Sequence, residues 1–161
     1  MQINKNGTSF EVKLKGSIGE SSELFTANFK DATKLVIDLA DVSYINSVGV
    51  KNWVSWACAI PSKTQFALKN LPLVFVNVAS TVRGFLPDHA VIESFIAPMV
   101  CPKCSTEKTE LLKIGEHYKY ADSKEPRSFN PPKPPCPKCK TEMEVDFIEA
   151  KTCAFLDQAR K

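Results

Sequence analysis

Six cysteines occur in the 161-residue chain, and four of them fall into two identical motifs, Cys101-Pro102-Lys103-Cys104 and Cys136-Pro137-Lys138-Cys139. Two thiolates two residues apart can bind one metal ion from a tight turn. Two such turns complete a tetrahedral Cys₄ site, closed to substrate and therefore structural. The proline in each turn fixes the backbone and leaves nearby N–H groups to bond the sulfurs. One such motif alone also suits a redox dithiol. Two copies in one small, core-poor region point instead to shared zinc, with Cys101, Cys104, Cys136 and Cys139 as ligands. Cys58 and Cys153 belong to no motif and read as small buried hydrophobes.

A second feature is a serine at the expected start of a helix. Leu35-Val36-Ile37 is a short β-branched run ending at Asp38 and reads as a buried strand. A turn and a second apolar piece follow, then Asn46-Ser47, then a helix from about Val48 to Ile60, stopped by Pro61. Asn and Ser satisfy the orphan N–H groups of a first helical turn. An anion is favoured there, so a phosphate on Ser47 would sit well. The competing reading is that Ser47 is only a cap, or the neighbour of an Asn46 cap. On the helical wheel Val50, Trp53, Val54 and Ala57 share a face, with Trp56 on its edge. A rim tryptophan can anchor a partner, or simply close the core.

The elements that position these residues divide the chain at about residue 97. Residues 1–97 alternate strand and helix signals. Strands are expected over Ser9–Leu14, ending at Gly16, and over Lys34–Leu39, Thr64–Lys69 and Val91–Ile96. Between them lie a short helix capped by Ser21 or Ser22, running through Leu24, Phe25 and Phe29, the helix after Ser47, and a helix capped by Asn70. The last has Pro72 in its first turn and apolar positions Val74, Phe75, Val78, Val82 and Phe85. Such alternation implies an α/β sheet with helices packed on one side. Residues 98–161 differ. Between the two cysteine motifs, Ser123–Pro135 is rich in Pro, Lys and Ser and should be an extended loop. Met143, Val145 and Phe147 then alternate with acidic residues, as a half-buried strand would. A region with so few large apolar residues rarely stabilises itself by burial alone.

Ile37-Asp38-Leu39, the apolar run Val42 to Ile45, and Asn46-Ser47-Val48-Gly49-Val50 resemble the STAS family, named for sulphate transporters and anti-sigma factor antagonists. The resemblance extends over roughly residues 1–97, and this segment is its specific part. It implies a STAS-like mixed sheet with helices on one side. It also implies a protein-binding surface at the serine loop and the helix it opens (here Asn46, Ser47 and Trp56) and regulation by phosphorylation at Ser47. The partner implied is an anti-sigma factor-like kinase, in a bacterial signalling setting. One departure is that Asn46 stands where the family usually has Asp. Residues 98–161 look like a zinc-ribbon β region with a Pro-rich inserted loop, the spacing between Cys104 and Cys136 being 31 residues. Rubredoxin-like iron uses the same knuckle and stays open beside zinc.

Composition narrows the remaining classes. The chain is 43% hydrophobic and 24% charged, so a packed core is expected. A formal charge of +3 is too small to argue for nucleic acid by itself. The basic loop around Lys124, Arg127 and Lys133 is opposed by Glu142, Glu144, Asp146 and Glu149. Met1 to Phe10 is polar, so no signal peptide is visible, and apolar runs are broken by Lys51 and Asn77 before they reach membrane length. A cytoplasmic protein without a membrane span is expected. No Gly-rich phosphate loop, His-anchored nucleophile or paired carboxylates emerge, and His89 and His117 stand apart from any such pattern, so the chain reads as no enzyme. Asp38, Asp41 and Asp88 read as turn and cap residues. The leading expectation is a regulatory protein-interaction module. The alternatives are a non-switching scaffold or adaptor, a nucleic-acid-associated ribbon protein, and a small-ligand sensor.

Overall fold

The computed structural model describes residues 1–158. Strands β1 (Gln2–Asn6), β2 (Ser9–Ile18), β3 (Lys34–Ile45), β4 (Gln65–Lys69) and β5 (Ala90–Ile92) form one sheet in that order. A tight turn with Gly7 at φ +60° makes β1 antiparallel to β2, and every later neighbour is parallel, so the sheet is mixed. Because each parallel strand adds on the same side of the last, right-handed crossovers place all connecting segments on one face. Those segments are a 3₁₀ turn at Glu23–Thr26, helix α1 (Ser47–Cys58) and helix α2 (Leu73–Thr81). Their rings meet there: Trp53 lies 6.1 Å from Phe75 and stacks on Phe85 at 5.3 Å, while Trp56 meets Phe29 at 6.1 Å. Val12, Leu14, Leu35, Ile37, Leu39, Phe66 and Leu68 complete this core from the sheet.

Several elements differ from their sequence-based expectation. The run from Lys34 is one twelve-residue strand, not a strand, turn and second piece. β4 accompanies β3 only to Asp38, and beyond it β2 alone carries β3, through register shifts, as far as the pair Ile18↔Ile45. Gly16 therefore sits inside β2 at φ +79° and does not end it. Asn70 does not cap α2, whose N-cap is Pro72. Asn70 instead takes φ +56° and donates through Nδ2 to Asp38 Oδ1 at 2.9 Å. Asp38 is thus a buried acceptor within a strand, also bonded by the Ala40 N–H at 3.1 Å.

The segment expected as one strand, Val91–Ile96, is two. β5 ends at Ile92, and β6 (Ser94–Val100) enters a second, antiparallel sheet with β7 (Glu107–Lys113) and β10 (Glu144–Val145). The expected division at residue 97 falls inside β6. Residues after it also return to the first core. β8 (Tyr118–Lys119), paired with β9 (Ser128–Phe129), brings the Tyr118 hydroxyl to donate to Ile92 O at 2.8 Å, while Ile92 N donates to the Tyr120 hydroxyl at 2.8 Å. Two phenols thereby satisfy both backbone groups of Ile92 on the outer strand β5. Helix α3 (Glu149–Thr152) and the following turn Cys153–Asp157 dock on α2. There the Ser80 hydroxyl donates to Thr152 O at 2.6 Å, and Phe155 packs edge-on to Phe95 and Tyr118. Leu112, Tyr118, Cys153, Phe155 and Leu156 belong to the same buried cluster as Trp53.

Candidate functional site

The two cysteine motifs are the tips of two β turns built alike. In the first, between β6 and β7, Cys101 N donates to Thr106 O at 2.9 Å and Ser105 N to Cys101 O at 2.9 Å. In the second, Cys136 N donates to Thr141 O at 2.8 Å and Lys140 N to Cys136 O at 3.0 Å. The fifth residue of each turn is left-handed: Ser105 at φ +53° and Lys140 at φ +63°. The repeat therefore extends beyond the cysteines to Cys-Pro-Lys-Cys-x-Thr-Glu, residues 101–107 and 136–142.

The turns face each other and bring together all four predicted ligands. Their sulfurs lie within 4.8 Å of one another, with Cys101 Sγ 3.4 Å from Cys139 Sγ and Cys104 Sγ 3.5 Å from Cys136 Sγ. A disulfide needs about 2.05 Å. A tetrahedral ion with bonds of about 2.3 Å spaces its sulfurs about 3.8 Å apart, inside this range. Four sulfur donors in this arrangement select zinc or iron over hard cations. The surroundings of the sulfurs favour their thiolate forms unequally. Burial pushes the Cys101 thiol up to about 11, whereas the Thr141 hydroxyl, then its N–H, draws Cys139 down to about 6. Cys136 is drawn down chiefly by the Cys139 N–H. Crowded thiolates repel unless a metal ion replaces their protons. Met99 and Met143 are buried beside them, with Val145 packed against this cluster.

The helix-start site is also assembled. Asn46 is the N-cap of α1: its Oδ1 accepts from Gly49 N at 2.7 Å. Asn provides this bond as well as Asp would, without the charge. Ser47 is the first helical residue, exposed, and its hydroxyl makes no hydrogen bond among the described residues. Near it in sequence are two exposed large side chains, Tyr44 at 56% and Val48 at 45%. Gly49 fixes the approach of the helix to β2, because a Cβ there would meet Ile18 O at 2.3 Å. Trp56 takes the other of its two roles. It is only 8% exposed, 5.4 Å from Trp53 and 5.9 Å from Phe66, so it is a core residue. Its uncovered edge contributes to a shallow groove of about 410 Å³ with Phe25, Phe29, Lys30, Asn52 and Ser55.

Other candidates find structural places. Cys153 is buried, and burial pushes its thiol up to about 12. Cys58 is exposed, contrary to expectation, at the C-terminal end of α1. There it borders a wide cleft of about 1410 Å³ with Pro61, Thr81, Arg83, Asp88 and His89. His117 accepts at Nδ1 from Lys113 N at 3.0 Å. Arg127 donates to Cys153 O and pairs with Asp157, each at 2.9 Å, so it is spent inside the molecule. No helix among the described residues is long and apolar enough to cross a membrane.

Thr106, Thr141, Tyr44 and Val48 escaped the sequence reading. The threonines were visible in the extended repeat. The exposure of Tyr44 and Val48 has no local signal in the sequence. Comparisons with protein-family models, curated proteins and solved structures find no match.

Proposed function

We propose that this chain is a cytoplasmic, non-enzymatic regulatory module of STAS-like fold that binds a protein partner through the start of α1 and carries one structural zinc in a ribbon-like lobe. The observation that carries the partner reading is the exposed Ser47 at a capped helix N-terminus, its hydroxyl without a hydrogen bond among the described residues, with exposed Tyr44 and Val48 near it in sequence. Exposed apolar side chains on the segment that carries a modifiable hydroxyl suit a contact that a phosphate would break by adding charge. The partner expected from the family resemblance is an anti-sigma factor-like kinase. Nucleic acid is disfavoured because Arg127 of the basic loop is engaged internally.

Affinity capture with wild type, Ser47→Asp, Tyr44→Ala and Val48→Ala tests the reading. One protein should be retained by wild type and lost from all three variants. Loss from the apolar variants but not from Ser47→Asp would identify a constitutive adaptor surface. Retention by all three would refute the surface. Elemental analysis should return one zinc per chain, and iron in its place would correct the metal.

A further inference from the structure

The four sulfurs are not equally exposed, and their hydrogen-bond partners follow the difference. Cys101 and Cys136 are 1% and 0% exposed. Each receives backbone N–H groups from its own turn: those of Lys103 and Cys104 for Cys101, and those of Lys138 and Cys139 for Cys136. The second cysteine of each turn faces outward, with Cys104 exposed and Cys139 half-buried. These are the sulfurs with a threonine hydroxyl against them. Thr106 Oγ1 lies 3.2 Å from Cys104 Sγ, and Thr141 Oγ1 lies 3.4 Å from Cys139 Sγ. Both threonines stand two residues after their cysteine, and the left-handed residue between them turns each hydroxyl back. A thiolate has no proton to give, so with a metal bound only the hydroxyl can donate.

A metal-bound thiolate stays nucleophilic in proportion to the charge left on sulfur, and solvent access decides whether that charge is attacked. A hydroxyl donating to it withdraws charge at the place where burial cannot protect it. We propose that Thr106 and Thr141 are a matched pair of positioning residues that shield the two outward sulfurs of the metal centre, keeping it inert to electrophiles. This rests on the metal reading above and adds the residues that make such a centre durable. Outer-shell partners of metal ligands commonly change metal affinity 10- to 100-fold when removed.

The test uses the zinc-loaded full chain, its Thr106→Val, Thr141→Val and double variants, and the matching Thr→Ser variants. Valine keeps the shape and removes the donor, while serine restores the donor. On exposure to N-ethylmaleimide, the valine variants should lose zinc roughly tenfold faster than wild type, and the double variant faster still. Peptide mapping should find the first alkylation at Cys104 in Thr106→Val and at Cys139 in Thr141→Val, and the serine variants should match wild type. In cobalt-substituted protein, the sulfur-to-metal absorption of the valine variants should move to longer wavelength, because a sulfur stripped of a donor releases electrons more easily. Unchanged release rates and unchanged cobalt spectra in the valine variants would overturn the proposal while leaving the metal site intact. A wild-type chain that takes up neither zinc nor cobalt would overturn both.

Discussion

Trp53 and Met143 are both buried, but their surroundings differ in kind. Trp53 has Trp56, Phe75 and Phe85 around it and donates its indole N–H to Phe85 O at 2.9 Å. It sits in a cluster of 32 buried residues that runs from β2 to the turn after α3. Met143 shares a cluster of four, two of which are metal-ligand candidates. Burying two methionines contributes a few kcal/mol gross. Ordering three or four residues costs as much, and each cysteine turn alone has more than that. The body is therefore held by burial, and the lobe lacks the means unless an ion ties its sulfurs. Metal binding of the order of 10 kcal/mol is large enough to make up the difference.

The comparison also separates the two regions along a different line from the composition shift. Tyr118, Cys153, Phe155 and Leu156 lie far past residue 97 yet belong to the body. The lobe is only the two turns with the strand ends beside them. The largest expected effect follows directly. A fragment of residues 1–97 should fail to fold, because it cuts β6 and removes five residues from the core. Circular dichroism and amide NMR would show a disordered chain, and a dispersed native-like spectrum would restore the boundary near residue 97.

Single substitutions in the body come next. Trp56→Ala and Phe155→Ala should each cost about 3–5 kcal/mol in denaturant unfolding. Trp56 decides between core and partner anchor: a cost below about 1 kcal/mol would return it to the surface. Gly49→Ala should cost up to about 3 kcal/mol, since the Ile18 carbonyl cannot retreat without disturbing β2. In the lobe, Ser105→Gly and Lys140→Gly should each stabilise by about 1 kcal/mol by relieving left-handed backbone, read as resistance of bound metal to a competing chelator. Weakened metal retention would show that these side chains do more than turn the chain. The smallest change in stability belongs to Ser47→Asp, within about 0.5 kcal/mol of wild type, since an acid suits a helix start.

How much of this was legible depends on whether the signal was local. The clustering of the four cysteines could be read from spacing alone, because a Cys-x-x-Cys turn is its own scaffold. The Asn46 cap and the strand–helix order were legible for the same reason. Trp56 was ambiguous because the wheel placed it on an edge, and the rings that cover it, Phe29 and Phe66, come from separate elements. Asn70 looked like a cap from its type and place, but Asp38, distant in sequence, claims its side chain. The break at Glu93 left no mark in composition. It exists because Glu93 N bonds Leu68 O at 2.8 Å and Leu71 N bonds Ser94 O at 3.1 Å, carrying the chain across the sheet end into the second sheet.

The claim that an ion holds the lobe while burial holds the body is tested most directly by hydrogen exchange on the full chain, with and without a strong chelator. Chelation should release protection at residues 101–106 and 136–141 and leave β3, β4 and α1 protected as before. Unchanged protection of both cysteine turns in metal-free protein would contradict the account, as would loss of protection throughout β3, β4 and α1 at the same chelator concentration.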